Sequence, residues 1–153
     1  MPHTIHHAAL ADMSPLTLYA ILKLRVDVFV VEQDCPYPDL DGADTAPGTL
    51  QVWAADGDGR VLATSRILDA PGGGRRIGRV CADPTARRSG TASAMMEAAM
   101  GLCGAGTRID IDAQAHLEGW YERFGFVRSG ADFLEDNIPH IPMRRLPDAG
   151  ARA

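Results

Sequence analysis

The sequence is poor in cysteine, in long apolar runs and in positive charge. Three cysteines, Cys35, Cys81 and Cys103, stand far apart among 153 residues, which argues against a disulfide framework and against the close ligand pairs of a zinc site. No apolar run approaches the ~20 residues of a membrane-spanning helix. The first ten residues contain no lysine or arginine and no block typical of a signal peptide. We therefore expect a cytoplasmic chain that binds neither metal nor membrane.

The overall composition is that of an ordinary globular domain with an acidic surface. Apolar residues make up 46% and charged residues 23%, and the formal net charge is −5. Because a surface of this sign repels phosphate backbones, we expect no nucleic-acid partner. The length fits one domain over residues 1–153, with 147–153 as a frayed tail.

The order of apolar patterns and turn residues predicts an α+β (mixed α/β) domain. A helix begins at Ser14-Pro15, a capping hydroxyl followed by proline at the first helical position. Its predicted buried stripe consists of Leu18, Leu22, Val26, Phe29 and Val30, with Arg25 beside it. Further helices are predicted over 91–103 and 115–124. Strands are predicted over 4–10, 49–55, 61–68, 76–82, 108–113, 126–133 and 140–146.

The segment from Arg79 to Ala92 contains the pattern with the clearest chemistry. A strand ends, Pro84 turns the chain, and the small residues of Arg87-x-x-Gly90-x-Ala92 open a helix. The first amides of a helix lack internal partners and attract anions, so this segment predicts a pyrophosphate site with arginines at its mouth. The alternative is a surface turn with two solvated arginines.

Two motifs, in this order, resemble the GNAT superfamily of N-acetyltransferases. The segment Arg87-x-x-Gly90-x-Ala92 resembles the family's Q/R-x-x-G-x-G/A, and Tyr121-Glu-Arg-Phe-Gly-Phe126 resembles its Y-E-x-x-G-F. A narrower resemblance, to the ElaA-like branch, runs from about Leu18 to Met143. It rests on segments 24–25, 28–33, 35–37, 41–42, 77–80, 113–117 and 138–141.

The resemblance implies both a fold and a reaction. The fold would be a central, mostly antiparallel twisted sheet of six to seven strands, splayed around Val80 and flanked by about four helices. The reaction would be direct attack by an amine, from a small molecule or a peptide, on acetyl-CoA in a ternary complex. Tyr121 would protonate the departing thiolate. Gln114 stands where the family often has asparagine. The expected cofactor contacts are Val80, Cys81, Ala82, Arg87, Arg88, Ser89, Gly90, Thr91, Ala92 and Gln114.

The acceptor side is less determined by the sequence. An ammonium acceptor must lose a proton before it attacks, and the candidate bases are Glu32, His116 and His140. Arginines on strands, Arg66 and Arg79, would favour an acceptor with a carboxylate or phosphate if they faced the cleft. The loop residues Asp39, Asp41 and Asp44 either form turns or attract a cationic acceptor. Predicted substrate contacts are Arg25, Glu32, Gln33, Arg66 and His140.

Three alternatives stay open at this point. Cys81 could form an acyl-enzyme, although no adjacent histidine would activate it, and a small buried strand residue is the simpler interpretation. The chain could be a non-catalytic module that binds or senses acyl-CoA on the same fold. Edge strands near the C-terminus could pair two copies into a homodimer.

Overall fold

A computed structural model describes residues 2–147 of the chain, so the predicted tail beyond Pro147 lies outside the described residues. The strands are β1 (Thr4–Ala8), β2 (Leu50–Ala55), β3 (Val61–Asp69), β4 (Arg75–Ala82), β5 (Ile109–Gln114), β6 (Val127–Arg128), β7 (Phe133–Glu135) and β8 (Ile138–Arg145). The helices are α1 (Pro15–Val26), α2 (Thr91–Cys103) and α3 (Glu118–Glu122). A π-helical segment, Asp27–Glu32, extends α1, and short 3-10 turns lie at Leu10–Asp12, Ala43–Thr45, Pro84–Ala86 and Ala115–Leu117.

The eight strands form one sheet in the order β1-β2-β3-β4-β5-β8-β6, with β7 paired to β8 as well. Among the described strands only β4 and β5 pair in parallel, and their pairing covers just Arg75↔Ile109 and Arg76↔Asp110. Beyond these pairs the two strands separate. The predicted mostly antiparallel sheet with a split near Val80 is therefore confirmed.

Helices cover the sheet on both faces. Helix α1 packs on β3 and β4, where Ile21, Leu24 and Val28 join Val61 and Cys81 in a small core. Helix α2 packs on the other face against β2 and β3, and α3 lies beside β5. The larger core lies on the α2 side of the sheet and includes Met95, Met96, Ile109, Ile111 and Phe126. The face of β5 and β8 that points away from α2 is left for polar residues.

Helix α1 begins as predicted but buries a different stripe. Ser14 caps it by accepting a hydrogen bond from the Thr17 amide at 3.2 Å. The predicted stripe, Leu18 to Val30, is only half-buried, and the buried row is Ile21, Leu24 and Val28. Arg25 belongs to that row and is 1% exposed. Its burial is possible because Asp39 and Asp44, which are distant in sequence, contact it and neutralise its charge.

The sheet has eight described strands where six to seven were predicted, and the difference arises near the C-terminal end. The predicted strand 126–133 is divided into β6 and β7, because residues 129–132 leave the sheet. A two-residue turn, Asp136-Asn137, then joins β7 to β8. Both turn residues have positive φ, 50° and 65°, which Asp and Asn tolerate. Three α-helices and the π-helical segment correspond to the four helices that were expected.

Candidate active site

A cleft opens where β4 and β5 separate. It encloses about 910 Å³ and reaches from the loop before α2 to the turn between β7 and β8. This is within the size range of small-molecule sites. Residues 77–82 of β4 have no β5 partner, so one edge of that strand faces the cleft with its backbone groups free for a ligand.

A β-bulge shapes the β4 wall of the cleft. Thr64 pairs with Cys81 and Arg66 with Gly78, so Arg79 and Val80 together oppose Ser65. Arg79 takes a positive φ of 51°, which is strained for a residue other than glycine. The bulge bends β4 away from β5 and turns the Arg79 side chain toward the loop after α1.

The predicted anion-binding segment lies at one end of the cleft. Gly90 is the N-cap of α2 with φ +83°, and no atom would lie within 4 Å of a Cβ added there. Arg87 and Arg88 line the cleft, and Arg88 has a positive φ of 63°. Thr91 is fully buried and does not line the cleft, and its hydroxyl lies 2.8 Å from that of Ser89. The open backbone and the helix N-terminus fit a pyrophosphate.

The Arg87 side chain is already occupied by an internal carboxylate. Its two terminal nitrogens each donate to a Glu32 oxygen at 2.7 Å, and its Nε donates to the Ala82 carbonyl at 3.2 Å. The hydrogen bonds from Arg87 lower the pKa of Glu32. Because a base with a lowered pKa holds a proton weakly, Glu32 is a poor general base while this pair persists.

Tyr121 stands on α3 at the wall of the cleft. It is 6% exposed and packs edge-on against Trp120 and Phe126, with ring centroids 4.9 Å and 6.1 Å apart. Burial raises the pKa of its phenol, so the hydroxyl keeps its proton at neutral pH. Burial also raises the pKa of the neighbouring Cys81 thiol to about 12. A thiol that stays protonated is a weak nucleophile, which argues against an acyl-cysteine.

The opposite end of the cleft holds the predicted amide and histidine side chains. Gln33 and Gln114 bond each other across the cleft, at 3.4 Å and 3.2 Å. His140 pairs with Gln114 in the β5–β8 register and lies on the same face. Its Nδ1 is 2.7 Å from the Ile138 carbonyl. His116 also lines the cleft but is exposed, in the middle of the 3-10 turn Ala115–Leu117.

Three arginines form a largely buried cluster with three aspartates between α1, β3, β4 and the loop at 36–48. Arg25 bonds Asp39 and Asp44 at 3.1 and 2.7 Å, and Arg66 bonds Asp41 and Asp44 at 2.9 and 3.2 Å. Arg79 pairs with Asp39 at 2.9 Å. Arg25 is not among the residues that line the cleft. Arg66 and Arg79 do line it, but their charges are neutralised, so they provide no free site for an anionic acceptor.

The roles of several cleft residues were missed from the sequence alone. The loop aspartates are ion-pair partners, and Asp41 forms a turn as well, because its Oδ1 accepts from the Ala43 amide at 3.0 Å. Glu135, Asp136 and Phe133 were not considered at all. The acidic loop, Asp39-x-Asp41-x-x-Asp44, together with strand arginines was a usable signal for the cluster. Nothing in the sequence indicated Glu135, because its position depends on the turn at Asp136-Asn137.

The described residues contain no group of three potential metal ligands and no helix long and apolar enough to cross a membrane.

The sequence is similar to a known protein family and to individual proteins over most of its length. The profile described as "Acetyltransferase (GNAT) domain" matches residues 37–147. A UPF0039 protein of Mycobacterium tuberculosis is 46% identical over 142 residues, 91% of this chain and 90% of its own. Protein ElaA of Escherichia coli is 35% identical over 146 residues, 92% and 93% of the two chains.

Solved structures agree with the sequence matches. The crystal structure of an acyl-CoA N-acyltransferase from Pseudomonas aeruginosa superposes with a TM-score of 0.86 at 41% identity, covering 94% of this chain and 99% of that one. The crystal structure of E. coli ElaA has the same TM-score and coverage at 32% identity.

Proposed function

Because the chain belongs to the GNAT acetyltransferase family and is an acyltransferase that uses acyl-CoA, we propose that it transfers an acetyl group from acetyl-CoA to an amine. The amine attacks the thioester directly while both substrates are bound, and Tyr121 supplies the proton to the leaving thiolate. The observation that carries the proposal is the position of Tyr121 on the wall of a cleft that Arg87, Arg88 and Ala92, at the start of α2, also line.

The loop before α2 supports binding of the diphosphate part of coenzyme A. The N-terminal amides of α2 and the guanidinium groups of Arg87 and Arg88 supply positive potential at one end of the cleft. Gly90 leaves the backbone open to close approach by phosphate oxygens.

The free edge of β4 supports binding of the pantetheine arm and the thioester. Backbone amides at 77–82 that do not bond β5 can donate to the arm's amide carbonyls and to the thioester oxygen. As the amine attacks, negative charge grows on that oxygen, and fixed N–H donors stabilise it. The bulge at Arg79 and Val80 widens the cleft at this place.

The environment of Tyr121 supports its role as the acid. A leaving thiolate needs a proton, and the raised pKa of Tyr121 ensures that the phenol is protonated when the thioester breaks. Its aromatic neighbours hold the ring in place, so its position does not have to be organised during the reaction. After the transfer, the phenol recovers a proton from solvent.

The proposal is tested by Tyr121→Phe, assayed with saturating acetyl-CoA and a panel of primary amines. We expect kcat to fall about 100-fold, with little change in the acetyl-CoA dissociation constant. Tyr19→Phe is the matched control, because Tyr19 is 71% exposed on α1. Acetyl-CoA that binds without acetyl transfer to any amine would replace the proposal by an acyl-CoA sensing module. Equal kcat in wild type and Tyr121→Phe would remove the acid role alone.

A further inference from the structure

The charges that line the cleft are paired except at its two ends. Arg66, Arg76 and Arg79 each lie within 2.9 Å of an aspartate, and Arg87 is held by Glu32. Arg88 stands at the coenzyme end. Within residues 2–147, no lysine or arginine forms an ion pair with Glu135 or Asp136, which line the opposite end. The cleft is therefore positive where phosphates are expected and negative at the β7–β8 turn.

His140 lies beside this negative end and is held in one orientation. Its ring stacks on Phe133, with centroids 5.6 Å apart and planes 23° from parallel, and the residue is only 8% exposed. A carbonyl can only accept, so the Nδ1 contact with Ile138 assigns the proton to Nδ1. In the neutral ring, Nε2 is then the nitrogen free to accept a proton. It has no hydrogen-bond partner in the described part of the chain, and it lies 3.8 Å from a Glu135 oxygen.

A hydrogen bond connects the β7–β8 turn to the segment that follows the π-helix. The Cys35 thiol donates to the Asp136 carbonyl at 3.5 Å and joins the turn to the segment after the π-helix. The short two-residue turn fixes the backbone that carries Glu135 and Asp136. These carboxylates are consequently part of the cleft rather than of a free loop.

We infer that the β7–β8 end of the cleft is the acceptor subsite, and that it selects a primary amine bearing a second positive charge, with His140 as the base. The inference rests on the proposed acetyl transfer. Glu135 and Asp136 attract the dication, and the Nε2 of His140 takes one proton from the reacting ammonium. The freed nitrogen lone pair forms the C–N bond, the C–S bond breaks, and the sulfur takes the proton of Tyr121. The new amide nitrogen releases its second proton to solvent, and the Tyr121 phenolate recovers a proton from solvent. Because aspartates neutralise Arg66 and Arg79, these arginines give no competing site for an acceptor carboxylate.

Three amines of one length test the charge selection: 1,5-diaminopentane, 5-aminopentan-1-ol and 5-aminopentanoate. At low ionic strength we expect kcat/KM to fall in that order, by about fivefold at each step, which is the size expected of exposed ion pairs. The double variant Glu135→Gln, Asp136→Asn should abolish the order and leave acetyl-CoA binding unchanged. Glu97→Gln, an exposed change on α2, should keep it.

A pH series tests the base. His140→Gln should lower kcat/KM for the diamine about 100-fold at pH 7.5. The loss should shrink steadily toward pH 10, where the free amine forms in solution without a base. A purely structural defect would not be rescued by pH. His7→Gln, exposed on β1, is the control.

The inference is overturned if 5-aminopentanoate is the best substrate, if the order survives the double variant, or if none of the three amines reacts although acetyl-CoA binds. Failure of acetyl-CoA to bind at all would instead contradict the proposed function.

Discussion

The carboxylate of Glu32 competes with a ligand for the guanidinium of Arg87. The two groups form a bidentate pair at 2.7 Å while both remain partly exposed, at 45% and 38% of their side chains. A diphosphate would compete for these donors, because Glu32 takes the end-on pair of N–H groups and the Ala82 carbonyl accepts from Nε. If Arg87 binds a phosphate of coenzyme A as proposed, we expect the Glu32 carboxylate to compete with that phosphate for the guanidinium.

We predict that Glu32→Gln tightens acetyl-CoA binding about two- to fivefold, because the competing ion pair is lost and an exposed pair is worth at most about 1 kcal/mol. Isothermal titration calorimetry measures the effect. Glu118→Gln is the matched control, since Glu118 forms an equivalent pair with Arg128 away from the cleft. Weaker binding in Glu32→Gln would show that Glu32 holds Arg87 in its binding position rather than blocking it.

Single residues were predicted best where one local motif determines their position. Arg87 and Tyr121 both line the cleft as expected from the resemblance. Arg25 was assigned to the acceptor, but it is buried against Asp39 and Asp44. A pair of charges 14 or 19 residues apart depends on how a loop returns to a helix, and neither composition nor periodicity contains that information.

The loop between α1 and β2 is held on the sheet by buried charge. Arg25 makes four hydrogen bonds to it, including one to the Asp39 carbonyl at 3.0 Å. Gln51 adds a bond to Asp44 at 2.8 Å, and Tyr37 one to Asp39 at 2.8 Å. Removing one member leaves carboxylates buried without a counter-charge, which is costly even where the intact pair contributes little.

We predict that Arg25→Met lowers the free energy of unfolding by about 3–5 kcal/mol. Lys23→Met is a matched control on the same helix, because the Lys23–Asp27 pair is exposed and should be worth less than about 1 kcal/mol. Urea denaturation followed by circular dichroism compares the two. Similar losses in both variants would contradict a special role for the buried cluster.

The N-terminus of α2 offers a second test at the scale of an element. We predict that Gly90→Glu abolishes acetyl-CoA binding, whereas Gly90→Gln weakens it less. Both variants bear the same cost of a positive φ, and they differ only in a negative charge at the anion site. Wild type should gain about 2.7 kcal/mol of stability at a hundredfold excess of ligand over its dissociation constant, seen as an upward shift in Tm. Equal behaviour of the two variants would place the diphosphate elsewhere.

Regular elements followed their sequence patterns closely, and short ones did not. Helix α2 has the predicted bounds, 91–103, since its small and Met side chains and the following Gly104 mark both ends. The predicted strand at 126–133 was wrong in extent, because β6 has two residues and β7 three, too few for alternation to be visible. The separation of β4 from β5 was predicted only from the family resemblance. No local pattern records which strands pair.

At the scale of the whole molecule, few strand pairs join the two halves of the sheet, and buried charge holds together the half that contains β3 and β4. The β4–β5 junction has two paired positions, whereas the Arg–Asp cluster links α1, the 36–48 loop, β3 and β4. Stability should therefore depend on pH through these aspartates. Hydrogen bonds from Arg66 hold the pKa of Asp41 well below its ordinary value. The pKa of Asp44 is also lowered: burial opposes the shift, and its bonds to Arg25 outweigh burial.

The direction of the pH effect follows from these lowered values. A carboxylate whose pKa is lower in the folded protein stabilises the fold at pH values above the unfolded pKa of about 3.9, and this contribution is lost as the pH falls through the folded pKa.

We predict that Asp41→Asn lowers the free energy of unfolding by about 1 kcal/mol at pH 7, a modest figure because the Asp41 side chain is 35% exposed. The cost should decrease steadily below pH 4, as wild type loses the same charge. Urea denaturation at pH 7, 5, 4 and 3 measures it, with Asp58→Asn in the exposed β2–β3 turn as the control. A cost that stayed constant down to pH 3 would mean that Asp41 stabilises the fold by shape and neutral hydrogen bonding, and that the charge of the cluster is dispensable.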